Sequence, residues 1–452
     1  MAWIFRGGVH PPENKEATKD LPLRAAPVPP EVVIPMVQHL GAPCEPVVKK
    51  GEAVRKGQRV GAPCGFVSAP VHASVSGKVL AVEPRPHFLG RMVLAVIIEN
   101  DGEEAWAEGL NVEADVHSLP RQEILERIMN AGLVGLGGAT FPTHVKLSPP
   151  PDKPIDTIII NGAECEPYVT CDNRLMLERA DEIIEGLKIM LSVVGARDGI
   201  IGVESNKPEA YEALRQAARG EPSIRVEMLP TKYPQGSEKQ LIYALTGRKV
   251  PAGGLPMAVG VVNQNVGTTV ALYEGVRYNR PLIERALTVT GEGVERPANL
   301  LVRVGTPIGW LLEQCGLRPQ TNKVVLGGPM MGVAVSTLDM PVTKGTNCLL
   351  TMVEARQWDY RACIRCGRCL RACPMNLNPS EISVACESKS LDDILRTQIL
   401  DCFECGCCTY VCPSRRPIVQ WVKFGKVEIA KFKAQEQKKT TDTHRQVPAE
   451  KV

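Results

Sequence analysis

Cys363–Pro374 reads CIRCGRCLRACP, and Cys402–Pro413 reads CFECGCCTYVCP. Both strings fit one template, C-x-x-C-G-x-C-x-x-x-C-P. Three evenly spaced cysteines let a single loop wrap a cube of iron and sulfide. The fourth, just before proline, starts a segment that leaves and ligates the other cluster in two-cluster ferredoxins. This order predicts two [4Fe–4S] clusters, one on Cys363, Cys366, Cys369 and Cys412, the other on Cys402, Cys405, Cys408 and Cys373. Zinc is the rival ligand, but structural zinc sites pair two knuckles across a longer gap, with no third cysteine at equal spacing. Cys407 stands where the first copy has Arg368, so it and Cys386 read as packing thiols. Gly367 and Gly406 share a position that suits a turn of positive φ beside the cube.

Outside these strings the composition is that of a folded, multidomain chain. Its 452 residues exceed one comfortable core, so three or four domains are expected. Sixteen cysteines invite a disulfide reading, yet ten of them fall between Cys363 and Cys412. MAWIFRGGVH lacks the apolar core of an export signal. A reducing cytosol, with metal rather than disulfides, is therefore the expectation. Aromatics at 4% and a net charge of +3 argue against a nucleic-acid partner. Apolar runs such as Met92–Ile98 are far shorter than a bilayer span, so membrane contact is expected to be peripheral only.

The rhythm of the chain divides it. Residues 1–115 alternate short Val/Ile runs with Pro and Gly, an all-β pattern that resembles the barrel-sandwich of lipoyl and biotinyl domains. Those domains carry a modified lysine on an exposed hairpin, but no Lys occurs between Gly61 and Gly77, so a swinging arm is not expected. Residues 116–280 switch to helix and strand in alternation. LPRQEILERIMNAG places Ile124, Leu125, Ile128 and Met129 on one helical face, and TIIING, GIIGVE and IRVEML follow as strands of a mostly parallel sheet. SPPPDKP is a surface connection. Residues 281–349 read as a small β-grasp unit: a hairpin of LTVTG with NLLVRVG, one short helix, then KVVLGG. Residues 350–422 hold the cysteines, with one helix, PSEISVACESKSLDDILR, between the two cages. From Lys423 to Val452 eight Lys or Arg face four Asp or Glu, a basic tail expected to fray.

Two clusters need a source of electrons, and GLVGLGGATFPTHVKL, from Gly132, is the candidate entry point. Its glycines let the backbone close on a phosphate or flat ring, and Lys146 can neutralise phosphate charge. A helix C-cap followed by a tight turn would explain the glycines equally well, and the string is not a G-x-G-x-x-G opening a helix after a strand. Its companion is NGAECEP, at the carboxyl end of a predicted strand, where ligands bind in open α/β sheets. There Asn161 can hydrogen-bond a flavin edge, while Glu164 and Glu166 can accept from ribose hydroxyls or a nicotinamide amide.

GLGGATFPTHVK is similar to the G-R-G-G-x-G-F-P-T-x-x-K loop of the NADH-binding flavoprotein subunit of respiratory complex I. NGAECEP looks like that family's N-A-D-E-x-E-P, VVNQNVGTT resembles its V-N-N-V-E-T, and TKYPQGSEKQL loosely follows its G-x-Y-x-x-G-E-E. Leu136 stands for the family's Arg, Ala163 for its Asp and Gly267 for its Glu. By motif match the resemblance implies cofactor contacts at Gly135, Gly137, Gly138, Phe141, Lys146, Asn161, Glu164, Glu166, Gly236, Glu238, Asn263, Asn265 and Thr268.

The whole order, barrel-sandwich, flavin domain, β-grasp and two-cluster ferredoxin, resembles the C-subunit family of Rnf complexes, the ion-translocating NADH:ferredoxin oxidoreductases. FRGGVHPPENK near the start and GGPMMG at Gly327–Gly332 also resemble that family, and neither is given a catalytic part. The resemblance implies electron transfer between NADH, non-covalent FMN and two [4Fe–4S] clusters. It also implies membrane-embedded redox subunits and a ferredoxin-like B subunit as partners, and a peripheral place on the cytoplasmic face of the bacterial inner membrane. The alternatives are a soluble NADH-dependent reductase like the cobalamin reductases, and a non-enzymatic iron–sulfur docking module.

Overall fold

The computed structural model describes residues 3–355 and 359–445, which form two compact units. The larger is built on Pro11–Ala355, and the smaller joins Phe5–His10 to the cysteine-bearing segment. Among the described residues the chain is multidomain α/β and β, as its periodicity predicts.

In the larger unit Glu31–Pro35, Arg91–Asn100, Gly77–His87 and Ala53–Val54 pair antiparallel, and Glu45–Pro46, Arg59–Ala62 and Val71–His72 form a second small sheet. Val32, Ile34, Val60, Val79, Val96 and Ile98 share one core between them. Leu23–Ala25 belongs to neither of these two sheets. It pairs in parallel with Ala298–Arg303, so the β-grasp sheet takes in a strand from well before the expected boundary at 115.

The flavin-type domain rests on four parallel strands in the order Ile224–Leu229, Asp198–Glu204, Thr157–Gly162, Val261–Asn265. Parallel strands need crossovers, and the crossover helices cover both faces, which is why TIII is apolar throughout rather than alternating. Ile158 and Ile160 pack into a core with Ile183, Leu187 and Val266, while Ile159 faces Leu241 and Ile242 on the other side. The entry helix Arg121–Asn130 buries Ile124 and Ile128, but Met129 is exposed, because the buried stripe is narrower than the predicted face.

The β-grasp hairpin forms between Glu284–Gly291 and Ala298–Arg303, and Cys348–Met352 pairs with its first strand in parallel. Lys323–Leu326 and then Val333–Ala334 continue the sheet beyond that strand, and Ile308–Gln314 is the short helix.

The smaller unit departs from expectation twice. The single helix predicted between the cages is two, Pro379–Glu387 and Leu391–Leu395. Lys389 takes φ 57, and the Ser390 hydroxyl caps the second helix at the Asp393 amide. Lys423 does not begin a frayed tail: Ile418–Arg445 is one helix, anchored where Val422 and Ile429 pack on Ile382, Cys386 and Ile394. Residues 446–452 of the predicted tail lie outside the described residues.

Ile160 is fully buried in the larger core. Ile160→Ala is therefore expected to destabilise the larger unit by about 2–5 kcal/mol. The change would appear as a lower urea midpoint in circular dichroism, and an unchanged midpoint would mean the strand is less tightly enclosed than its burial indicates.

Candidate functional site

Two sites emerge, one in each unit. In the smaller unit Gly367 and Gly406 take φ 73 and 83, and each opens a short helix, Arg368–Ala372 and Cys407–Tyr410. The left-handed turn folds each C-x-x-C-G-x-C loop back on itself, which a Cβ at that position would oppose. Cys363, Cys366, Cys369 and Cys412 line one small cavity, together with Arg416 and Ile418. Cys373 lies instead with the second loop, near enough to Cys402, Cys405 and Cys408 for their charges to act on one another. The structure thus brings together the two groups of four that the alternating template predicts.

Chemistry separates the two metal readings. A tetrahedral zinc about 2.3 Å from each sulfur draws its thiols to about 3.8 Å of one another. Among the described residues no three cage thiols lie within 4.8 Å of one another. Burial pushes the Cys402 thiol up to about 11, and the neighbouring Cys405 and Cys373 sulfurs push the same way. Such thiols ionise when a cationic metal core sits among them. Backbone amides of Leu377 and Glu404 donate to Cys373 Sγ and Cys402 Sγ at 3.4 Å, the hydrogen bonds that tune cluster potential. Cys386 is wholly buried in the helical core, against Ile394 and Val422, as a packing thiol would be. Cys407 is also wholly buried, and its thiol is raised chiefly by a hydrogen bond with Cys405.

In the larger unit the strand order reverses between Thr157–Gly162 and Val261–Asn265. The chain enters Val261–Asn265 from the far edge strand Ile224–Leu229, and ligands of open α/β sheets bind beyond the carboxyl ends at such a reversal. Asn161 and Asn265 are register partners at that edge. Asn161 Nδ2 donates to the Gly236 carbonyl at 2.8 Å, and its Oδ1 accepts from the Ala163 amide at 3.1 Å. Asn265 caps the helix Val266–Arg277, accepting from the Gly267 and Thr268 amides, and its Nδ2 donates to Asp172 at 2.6 Å.

The glycine loop is tied to the same edge. Thr268 Oγ1 accepts from the Leu136 amide at 2.8 Å, and Gly135 donates to the Phe141 carbonyl at 2.9 Å. Gly137 lies against the Asn265 side chain, while the space beside Gly138 is open. Lys146 Nζ donates to the Asn263 carbonyl and to Glu238 Oε2, each at 3.1 Å. Asn263 Oδ1 is buried with no partner, an acceptor aimed at no protein group. A glycine-lined crevice with a lysine and an unused buried acceptor fits a flat polar nucleotide such as FMN.

Glu164 and Glu166 depart from the role given to them. Glu164 Oε1 and Oε2 accept from the Asp172 and Asn173 amides at 2.6 and 3.3 Å, capping the helix Cys171–Glu178. Its side chain is 2% exposed, and burial raises its pKa to about 7. Glu166 Oε1 accepts from the Met330 and Met331 amides at 2.6 and 3.1 Å. Both carboxylates thus accept from backbone amides of the protein. Sequence reasoning missed the residues that set this loop, Lys15 and Lys207. Both are buried and donate to its carbonyls, Lys207 to Ala163 at 2.8 Å. No local spacing announces a contact made across such sequence distance.

Comparison with known proteins agrees with this layout. Residues 3–103 match the family described as the RnfC barrel sandwich hybrid domain, and 128–274 the Nuo51 FMN-binding domain. Residues 287–334 match the SLBB domain and 357–378 a 4Fe-4S binding domain. FMN and [4Fe–4S] clusters are thus the cofactors of this chain. The chain is 45% identical to the C subunit of the proton-translocating ferredoxin:NAD(+) oxidoreductase complex of Clostridium ljungdahlii, over 95% of this chain and 94% of that one. It is 46% identical to the Na(+)-translocating counterpart of Acetobacterium woodii, over 94% and 97%. The C subunit of an ion-translocating oxidoreductase complex of Rhodobacter capsulatus is 40% identical over 95% and 84%.

Cys412→Ser is expected to empty the first cage and Cys373→Ser the second, each leaving about four irons per chain instead of about eight. Cys407→Ser should keep both clusters. Iron and sulfide assays with EPR check the assignment, and iron lost from the Cys407 variant would make that thiol a ligand.

Proposed function

The chain belongs to the family of C subunits of ion-translocating ferredoxin:NAD(+) oxidoreductase (Rnf) complexes, and we propose that it is the peripheral subunit exchanging electrons between NADH, FMN and two [4Fe–4S] clusters. The observation that carries this reading is the crevice at the strand-order reversal, where Lys146, Asn161, Asn263, Asn265 and Thr268 converge on the glycine loop. FMN held there would supply the conversion between a two-electron hydride and single electrons.

The protein's part is binding and orientation. Lys146 supplies positive charge beside a phosphate, and Asn263 Oδ1 an acceptor for a ring N–H. Thr268 holds the glycine loop to the helix through the Leu136 amide. Gly236 and Glu238 bound the crevice through Asn161 and Lys146. No general base is needed for hydride transfer.

The first cage supports a role in exchange with partner subunits. Cys366 is exposed, as are Arg361, Arg365, Arg368 and Arg371, and none of these arginines forms an ion pair among the described residues. Among the described residues no helix is long and apolar enough to cross a membrane, so ion passage is assigned to other subunits. Placement on the cytoplasmic face of the membrane follows from the need to meet NADH.

Anaerobic purification, assay of iron, sulfide and FMN, and addition of NADH under absorbance and EPR test the reading. Expected are about eight irons per chain, bound FMN, and cluster signals that appear on NADH addition. Eight irons with no flavin and no response to NADH, even after FMN is supplied, would leave a docking module and overturn the entry role.

A further inference from the structure

FRGGVHPPENK and GGPMMG, the two motifs that the electron route leaves without a part, each contribute contacts to the loop after the Thr157–Gly162 strand. Lys15 reaches it from one side. Its ammonium donates to the carbonyls of Glu164, Glu166 and Val169 at 2.8, 3.1 and 2.5 Å, using all three of its donors. The side chain is 8% exposed, and Glu164 Oε2 lies 3.8 Å away. Burial lowers the Lys15 pKa and Glu164 opposes that shift.

Two neighbours of Lys15, Glu13 and Thr18, are stitched to the same loop. Tyr168 donates its amide to the Glu13 carbonyl at 2.8 Å, and Thr170 Oγ1 donates to Thr18 Oγ1 at 2.8 Å. Glu164 and Tyr168 sit at φ 46 and 69, so the loop holds a backbone shape that non-glycine residues seldom adopt by themselves.

From the other side, the Gly327–Gly332 turn places the Met330 and Met331 amides on Glu166 Oε1. Gly328 comes so near that a Cβ there would lie 2.2 Å from Glu166 Cγ. Tyr233 also hydrogen-bonds Glu166, and it precedes the segment whose Gly236 carbonyl receives Asn161.

We infer that Lys15 and the Gly327–Gly332 turn are a two-sided clamp that holds residues 163–170 in their nucleotide-binding shape. On this account Lys15 is a positioning residue for the FMN and NADH site. Glu166 acts as the tie between that loop and the β-grasp unit, rather than as a ribose ligand. The inference rests on the proposed flavin site for its functional meaning, while the clamp itself can be read without flavin.

The test uses the full-length chain, purified anaerobically, as wild type, Lys15→Met, Lys15→Arg and Gly328→Ala. FMN affinity is read by quenching of flavin fluorescence on titration into deflavinated protein. Backbone hydrogen exchange over residues 163–170 is read without FMN, and iron content checks the cluster unit. Lys15→Met is expected to weaken FMN binding at least tenfold and to speed exchange in the loop, with iron unchanged. Lys15→Arg, which still offers donors to the carbonyls, should recover FMN binding to within about threefold of wild type. Gly328→Ala should weaken FMN from the opposite side. At saturating FMN, Lys15→Met should raise the NADH KM at least fivefold with a smaller change in kcat.

Exchange and FMN affinity within twofold of wild type in both Lys15→Met and Gly328→Ala would overturn the clamp. Should Lys15→Met fail to fold, Gly328→Ala decides by the same two readings. Wild-type protein that binds no FMN would sink the flavin reading alone, since loop exchange in the variants still reports on the clamp.

Discussion

The parallel pairing of Thr157–Gly162 with Val261–Asn265 is the constraint from which the nucleotide site follows. The crossover into Val261–Asn265 comes from the far edge strand Ile224–Leu229 through the helix Glu238–Thr246, which covers the opposite face from the helices that leave Thr157–Gly162. Ligands bind beyond the carboxyl ends at such a reversal. The register then sets Asn161 beside Asn265. An asparagine at each position also serves the backbone: Asn265 satisfies two orphan amides of the helix it begins, and Asn161 ties two loops together. The polar groups that shape the crevice are thus fixed before any ligand arrives.

Legibility in the sequence followed the range of the interactions. The cages were readable because cluster ligation is nearly local: three cysteines within seven residues and a glycine turn state the geometry, and only the crossed fourth cysteine needs the second copy. The parallel sheet was readable because burial on both faces leaves uninterrupted apolar strands. The orientation of Glu164 and Glu166 was not. Their motif placed them correctly in the chain, but where each carboxylate points depends on donors from Asp172, Asn173, Met330 and Met331, the last two from another domain. Lys15 gave no signal, since a lysine in a polar N-terminal stretch looks like any solvated charge. The Ile418–Arg445 helix was missed because composition describes solvent preference and not the apolar stripe of its first turns.

The acidic loop also shows why charges are buried here at all. An ammonium enclosed by three carbonyls and a carboxylate is stabilised only if every donor is used, and a group of similar size without donors would strand the carbonyls instead. Such an arrangement is intolerant of other loop shapes, because a different backbone path would break several bonds together.

The two cages carry the same argument to the cluster unit. One template sets ligation in both, yet their surroundings differ. The first has an exposed cysteine amid exposed arginines, whereas Cys405, Cys408 and Cys373 of the second are buried. Beside the second stand Asp401 and Glu404, with Lys426 donating to Glu404 at 2.7 Å and to the Cys402 carbonyl at 2.5 Å. Charge, hydrogen bonds to sulfur and solvent exposure are the levers that set cluster potentials. Two clusters with identical ligands are thereby made unlike, and a directional path for single electrons requires that difference. The duplicated motif supplies the cofactors, and the residues between its cysteines supply the distinction.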